Sequence, residues 1–420
     1  MGLRSYIVTR ILLTIPTLLL LLSMVFLVMR VLPGDPVALH FEKKAEPWQL
    51  EDMRRKLGLD KPLWAQYADY IWGLIDINYI LAYGYPNLGK SMQTFEEVGG
   101  QIFSAFPATL ELAIYSMIIA SVMGILLGVV ASKSYNSILD HLIRGFGTVT
   151  YAVPVFFLGI IFQLVFGVFL RWLPTGLRIR ASVAPPTGLT IILSMPSGGF
   201  ISNFLLSSIA GLTISAICIA LLKVKHVKFR FKGFAISLAV FIIAWVVYAY
   251  VSWYFVLKGK LQIATGLYTI DSLLEANPVK FVESVKALLL PSLTLGIILS
   301  GIFVRLTRTN MLETLRLDFV TAAKARGLRE STVTYGYALR NAFLPILTML
   351  GLQFAMLLGG AILTETTFSW PGLGRYIVQR IYFRDYTAIQ GAVVMFGLFV
   401  TLVSLVVDIL YAYFDPRIRL

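Results

Sequence analysis

Residues 84–91 read GYPNLGKS and fit the pattern G-x-x-x-x-G-K-[ST] at every fixed position. In a phosphate-binding loop of this form, backbone amides cradle the phosphates, the lysine reaches their outer end, and the hydroxyl meets magnesium. Gly84, Gly89, Lys90 and Ser91 stand at those places, and INYILAY before them passes for the strand that leads into such a loop. SLVVD (404–408) imitates the apolar strand and aspartate that hold magnesium. Taken alone, these residues describe an ATPase. Other chemistry is poorly supplied. The single cysteine, Cys218, allows no disulfide or cysteine-based metal site within the chain, and His40, His141 and His226 are too scattered for ligand spacing. Whether the loop is real depends on the elements that carry it.

The composition points to lipid. Hydrophobic residues make up 58% of the chain and charged residues only 14%, against roughly 25% charged in ordinary soluble domains. A net charge of +14 would suggest nucleic acid in a soluble protein. Membrane proteins instead concentrate Lys and Arg in their cytoplasmic loops, so the partner is membrane lipid and not nucleic acid. A membrane-crossing helix needs about 20 predominantly apolar residues. Eight stretches qualify, at 11–29, 109–131, 148–170, 204–222, 234–257, 287–304, 343–363 and 388–407, which predicts an all-α polytopic membrane protein. Arg4 and Arg10 precede the first stretch as they would in a signal peptide. Its apolar run is too long for one, however, and RVLPGDP follows in place of a small-residue cleavage site, so it reads as an uncleaved anchor. SLVVD then belongs to the last span, and GYPNLGKS to the segment between the first and second.

Eight spans place both termini on one face. Lys and Arg are denser, and Asp and Glu sparser, in the segments that lie inside when the termini are cytoplasmic. KVKHVKFRFK (223–232), basic and without an acid, marks that face whether it serves a partner or lipid headgroups. Gly124 and Gly128, and likewise Ser292, Gly296 and Ser300, form small-residue ladders that let helix backbones approach. Glu111 and Asp408 lie inside spans but near their ends, where snorkelling or capping suffices.

The loops carry short helices. WQLEDMRRKLGLDKP places Leu50, Met53 and Leu57 on one face with Gly58 as the stop, and PLWAQYADYIWGLI does the same with Trp64, Tyr67, Ile71 and Leu74. The segment 305–342 is too long for a turn and too basic for lipid. Within it, LDFVTAAKARGL (317–328) has Asp318 as N-cap and Gly327 as stop; Phe319, Ala322 and Ala323 share a face from which Lys324 and Arg326 diverge. So short a helix is not stable alone in water, which predicts a partner surface or, alternatively, the lipid headgroups. LRNAFLP (339–345) leads into the next span with Pro345 near its start. SWPGLGR (369–375) reads as a rigid loop outside the membrane, with Pro371, Gly372 and Gly374 shaping it and Glu365 and Trp370 as contacts for cargo or a binding protein. Ordinary turn chemistry explains the Pro and Gly residues equally well.

Read in order, several of these stretches resemble one family: the membrane-spanning permease subunits of ABC importers, in the oligopeptide/dipeptide/nickel branch. They are RVLPGDP, LGLDKPLWAQY, ATLELA, TAAKARGL…ALRNAFLP, GAILTETTFSWPGLGR, DYTAIQG and DPRIR, and they run through nearly the whole chain. Thr321-Ala322-Ala323 replaces the Glu-Ala-Ala that opens the generic importer signature, and the gap from Gly327 to Pro345 is longer than the generic form. The branch has six spans; removing 189–265, a two-span hairpin around the basic run, restores that order.

The resemblance implies this organisation: a transmembrane anchor (1–29), an extracytoplasmic segment (30–108), core spans (109–188), the inserted hairpin (189–265), and further core spans with a cytoplasmic coupling loop at 305–342 (266–420). It also implies a transport subunit and not an enzyme. The partners would be a second, homologous permease, two ATP-binding cassette ATPase subunits and an extracytoplasmic solute-binding protein. This chain would hold no cofactor, since ATP and magnesium belong to the ATPases. Asp318, Phe319, Ala322, Ala323, Lys324 and Gly327 would form the helix that docks on an ATPase. Peptides are the implied cargo, with a nickel complex or an oligosaccharide as alternatives. In this alignment PNLGKS falls on a Leu-Gly-x-Ser turn that no nucleotide touches. A secondary transporter or channel working without an ATPase also fits the spans, but it leaves the long cytoplasmic loop without a purpose.

Overall fold

In hydrocarbon a helix satisfies its own backbone N–H and C=O groups within the segment, which is why long apolar stretches fold as helices. A computed structural model describes residues 3–31, 46–56, 58–179, 182–192, 260–358 and 361–414. Among the described residues, five helical stretches are long and apolar enough to cross a membrane: Thr9–Arg30, Val98–Lys133, Pro278–Leu315, Thr332–Leu358 and Tyr386–Ile409. A sixth is a broken pair. The fold is thus that of an all-α polytopic membrane permease, with the core spans at the places the apolar stretches predict. The two stretches at 204–222 and 234–257, and the basic run between them, lie outside the described residues.

The chain divides into two units, the first comprising Met1–Pro185, Gly266–Thr269 and Val279–Leu420. It opens with α1 (Leu3–Val31) and continues through three short helices, α2 (Pro47–Lys56), α3 (Leu63–Ile75) and α4 (Ile77–Tyr83). Tyr67 and Tyr70 of α3 pack on Phe26 of α1, and Ser23 shares a 2.7 Å hydrogen bond with the Tyr67 hydroxyl. Tyr67, Ile71 and Leu74 are half-buried as their spacing predicts, but Trp64 is 75% exposed and leaves that face.

The long helices α5 (Val98–Lys133) and α9 (Pro278–Leu315) form the centre. Their contact is made by the small residues: a Cβ at Gly124 would collide with Phe303 and one at Gly128 with Thr307, while one at Gly296 would meet Ile119 at 2.6 Å. Around this seam Leu112, Leu288, Leu295, Phe303 and Ile346 are buried in one cluster. The last helix, α14 (Tyr386–Phe414), closes the bundle; Phe399 stacks on Phe106 of α5 at 3.6 Å between ring centroids.

Three features depart from the expected spans. The stretch at 148–170 is not one helix. It is α6 (Ile138–Ala152) followed by α7 (Val155–Phe162), which runs on as a π-helical stretch, Gln163–Phe169, and the axis bends by 101° between them. The cause is Pro154, which disfavours the helical region for the residue before it; Val153 accordingly sits at φ −76°, ψ 126°. Second, Pro345 is not at a helix start. A π-helical turn (Thr332–Ala338) runs directly into α11 (Leu339–Leu358), so Pro345 lies within a continuous helical path. Third, the described residues include a short two-stranded ribbon.

That ribbon belongs to the second unit, Pro186–Thr265 with Ile270–Pro278. Strand β1 (Leu189–Ile192) pairs antiparallel with β2 (Lys260–Ile263), in a register that sets Leu189 opposite Ile263. Two carboxylates secure the neighbouring backbone: the Thr265 N–H donates to Asp271 and the Thr187 N–H to Glu275, each at 2.7 Å. Asp271 lies in α8 (Tyr268–Leu274).

The Gly124 contact yields a direct test. Gly124→Ala forces a methyl into Phe303, and overpacking of this kind costs about 1–3 kcal/mol. Purified Gly124→Ala protein in detergent is expected to unfold at lower temperature than the parent. Gly145→Ala adds its methyl to open space beside α6 and is expected to leave the transition unchanged or raise it.

Candidate functional site

The phosphate-loop match can be judged by its geometry. INYILAY is not a strand but α4, capped by the Asp76 carboxylate, which accepts from the backbone N–H of Asn78 and Tyr79. Gly84 (φ +82°) ends that helix and Gly89 (φ +81°) turns the chain again. The helix that would have to begin at the lysine of a phosphate loop begins only at Val98. Lys90 lies 3.7 Å from Glu97, and the Ser91 hydroxyl donates to Asp385 at 2.5 Å while the Met92 N–H binds the other oxygen of that carboxylate. Asp385 also accepts from the Ala388 N–H in the first turn of α14. Of the motif's two fixed polar residues, Ser91 is thus bound by a carboxylate and Lys90 faces one, and the residues form a turn that docks on the start of α14.

The second candidate, at 318–327, folds as a short helix, α10 (Asp318–Ala325). Two details differ from expectation. Leu317 occupies the N-cap position without a side-chain bond, so Asp318 is not the cap but the first helical residue, where its charge still complements the helix dipole. Ala323, at 4% exposure, faces inward with Val320 and does not share the outward face of Phe319 and Ala322. Val320 and Ala323 are seated among Val129, Met311, Val333, Ala338 and Ala342, which ties α10 to the ends of α5, α9 and α11. Asp318, Phe319, Ala322 and Lys324 are exposed, Phe319 at 39%. Gly327 takes φ +72° with open space beyond its missing Cβ, so only its backbone conformation calls for glycine. Nearby, Lys133 pairs with Glu330 at 2.9 Å and holds that carboxyl below its usual range.

The third candidate is the segment from α12 (Ile362–Thr367) through SWPGLGR to α13 (Leu373–Tyr382). Here the expectation of exposed contacts at Glu365 and Trp370 is reversed, because both are buried. The Glu365 carboxylate accepts from the Thr109 hydroxyl at 2.7 Å and from the Arg375 N–H at 2.9 Å. Burial pushes its carboxyl above the usual carboxylate range, against the pull of those hydrogen bonds. A Cβ at Gly372 would overlap the Glu365 carboxyl group, and one at Gly374 would come within 3.0 Å of it. These glycines therefore serve close approach, and Pro371 alone of the loop's turn residues is exposed. Trp370 donates its indole N–H to the carbonyl of Ala108 at 2.8 Å, and the Leu373 N–H donates to the Thr109 hydroxyl at 2.7 Å.

Beside this loop stands an ion pair that sequence reasoning missed. Glu111 and Arg178 are both buried, joined at 2.9 Å through Nε and 2.5 Å through a terminal nitrogen. The other Glu111 oxygen accepts from the N–H and hydroxyl of Thr269, and Arg178 also donates to the carbonyl of Gly266. The guanidinium lies over the Tyr268 ring at 3.8 Å. An acid inside a span needs a partner, and that requirement was the available signal. The separation of 67 positions hid which arginine answers it.

Breaking a buried pair by removing one member leaves an uncompensated charge, at about 3–5 kcal/mol. Arg178→Met is expected to lower the unfolding temperature strongly. Adding Glu111→Gln to it is expected to recover much of the loss, and a double-mutant cycle in detergent measures the coupling.

The chain as a whole is similar to known proteins. Residues 3–113 match the family model described as the N-terminal part of the binding-protein-dependent transport system membrane component, and residues 124–420 match its inner membrane component. The chain is 33% identical over 416 residues to the di/tripeptide transport system permease protein DppB of Pseudomonas aeruginosa, covering 99% of this chain and 98% of that one. It is 32% identical over 415 residues to the dipeptide transport system permease protein DppB of Alkalihalophilus pseudofirmus, and 30% identical over 415 residues to the glutathione transport system permease protein GsiC of Escherichia coli; each alignment covers 99% of both chains. A chain built of membrane-crossing helices around a short helix at 318–325, and matched along both family models, belongs to the binding-protein-dependent transport system inner membrane components, the permease subunits of ABC importers, in their peptide branch.

Proposed function

We propose that this chain forms half of the translocation path of an ATP-driven importer for di- and oligopeptides, and that it receives the power stroke through the outward face of α10. The observation that carries the coupling assignment is the division of α10 into two faces. Val320 and Ala323 are locked against the ends of three long helices, while Phe319 and Ala322 point away from the chain with Asp318 and Lys324 beside them. A push on the outer face is thus transmitted to α5, α9 and α11 together. A solute-binding protein and ATPase partners follow from family membership. A second permease and two ATPase subunits, each taking one such helix, complete the proposed assembly. Both termini and α10 lie on the cytoplasmic side in this reading, and 30–108 and 369–375 lie outside. ATP and magnesium sit in the ATPases; this chain holds neither. The ATP-bound and ATP-free partners must contact α10 differently, since equal affinity for both states would shift nothing.

Peptide cargo is supported by the relatives' names, which give di- and tripeptides, dipeptides and glutathione. The segment 189–265 is proposed as a unit added to the six-span core.

Phe319→Asp tests the coupling role, because Phe319 is exposed and its loss leaves the interior intact. In a reconstituted importer this variant is expected to insert and unfold as the parent does, yet to lose peptide uptake and the ATPase activity that loaded binding protein stimulates, each by tenfold or more on the order of one anchor contact. Normal uptake would sink the assignment. Ala323→Glu is a poorer probe, since it buries a carboxylate between α10 and the bundle and is expected to destabilise the chain itself.

A further inference from the structure

A cavity of about 520 Å³ opens between α6, α9 and α11. Its walls include three guanidinium groups, Arg144, Arg305 and Arg308, and further along it Thr148, Tyr151 and Gln353. One carboxylate, Asp140, answers the arginines. It takes Arg308 in a two-pronged pair at 2.7 and 2.8 Å, and Arg144 stands 3.7 Å from it. Arg305 is exposed and has no ion-pair partner among the described residues. The cavity therefore carries surplus positive charge at the end of an apolar stretch, and the Arg305 guanidinium on its wall is open to an anion. The far end is neutral but polar. The Gln353 amide has only a 3.7 Å contact with the Met349 sulfur, and Tyr151 is exposed.

We propose that this cavity receives the terminal carboxylate of the transported peptide, with Arg305 as the ion-pairing group and Tyr151 and Gln353 as neutral partners for the peptide backbone. The inference rests on the peptide-import reading above. A terminal carboxylate is the one negative charge that every unmodified peptide carries, whatever its side chains, so a guanidinium without an ion-pair partner recognises the class without choosing a sequence. Arg308, held by Asp140, keeps the surrounding field positive but is not free to follow a ligand. Arg305 is. An anionic lipid headgroup offers similar chemistry to the arginines, but it would use only the charged mouth. The polar groups at Tyr151 and Gln353, deeper along α6 and α11, fit a ligand that carries amides.

The test uses the complete importer in proteoliposomes, with binding protein, ATP and a radiolabelled mixture of di- and tripeptides. Arg305→Met is expected to lower uptake about tenfold or more, the worth of one hydrogen-bonded charge. Arg305→Lys is expected to retain most of it. ATPase stimulation by loaded binding protein and the unfolding temperature are expected to stay at parental values in both, which a merely structural or coupling role would not allow. Unchanged uptake in Arg305→Met would overturn the inference while leaving peptide import in place. So would a defect that appears only in vesicles rich in anionic lipid, which would assign the cavity to a headgroup. If the parent importer takes up no peptide at all, the peptide reading falls and this inference with it.

Discussion

One turn of helix α5, residues 108–111, holds much of the structure together because a charge is buried there. A buried carboxylate needs a full set of donors in an apolar interior, and supplying them to Glu111 brings Arg178 and Thr269 to the same place. The two residues at its N-terminal side extend the arrangement: the Ala108 carbonyl takes the Trp370 indole, and the Thr109 hydroxyl both donates to Glu365 and accepts from Leu373. Segments far apart in the chain are thus fixed by a few polar groups on one helix. Apolar packing can slide, whereas hydrogen bonds to a buried carboxylate have few alternative partners. The α12–α13 loop is tied to α5 in this way at Trp370, Leu373 and Glu365.

Much of the architecture was legible in the residues, for reasons that also explain the misses. Core spans are legible because hydrocarbon thickness sets a length and backbone satisfaction sets helices. The ladders Gly124/Gly128 and Ser292/Gly296/Ser300 were legible because only small residues permit the contact they make, and the structure seats Gly124 and Gly128 on Phe303 and Thr307 and Gly296 on Ile119. The 101° break at Pro154 was signalled by the proline itself, but hydropathy summed over a window is blind to direction and merged both limbs into one span. At α10 the helix was legible, but its facing was not. Val320 and Ala323 follow the i, i+3 rule as well as Phe319 and Ala322 do, and only the neighbours Val129, Met311 and Val333 decide which pair turns inward.

Pattern and geometry diverge most at GYPNLGKS. The glycines behave as a phosphate loop requires, each in the left-handed region. The rest of that chemistry depends on a strand before and a helix immediately after, and neither is there. What the same residues build is a clasp: the Ser91 hydroxyl and Met92 amide share the Asp385 carboxylate, which also starts α14. The reading as a turn follows from the partners these side chains have. The likeness to an ATP site is one of spelling.

The ribbon at 189–192 and 260–263 has a different kind of consequence. Antiparallel partners lie only about 4.5–5.5 Å apart at the Cα atoms, so the chain leaves at Leu189 and returns at Ile263 through nearly the same point. The entropy of closing the connection between two such strands rises only slowly with its length, so the pairing tolerates connections of very different size. The ribbon is thus a place where added chain length leaves the pairing itself unchanged.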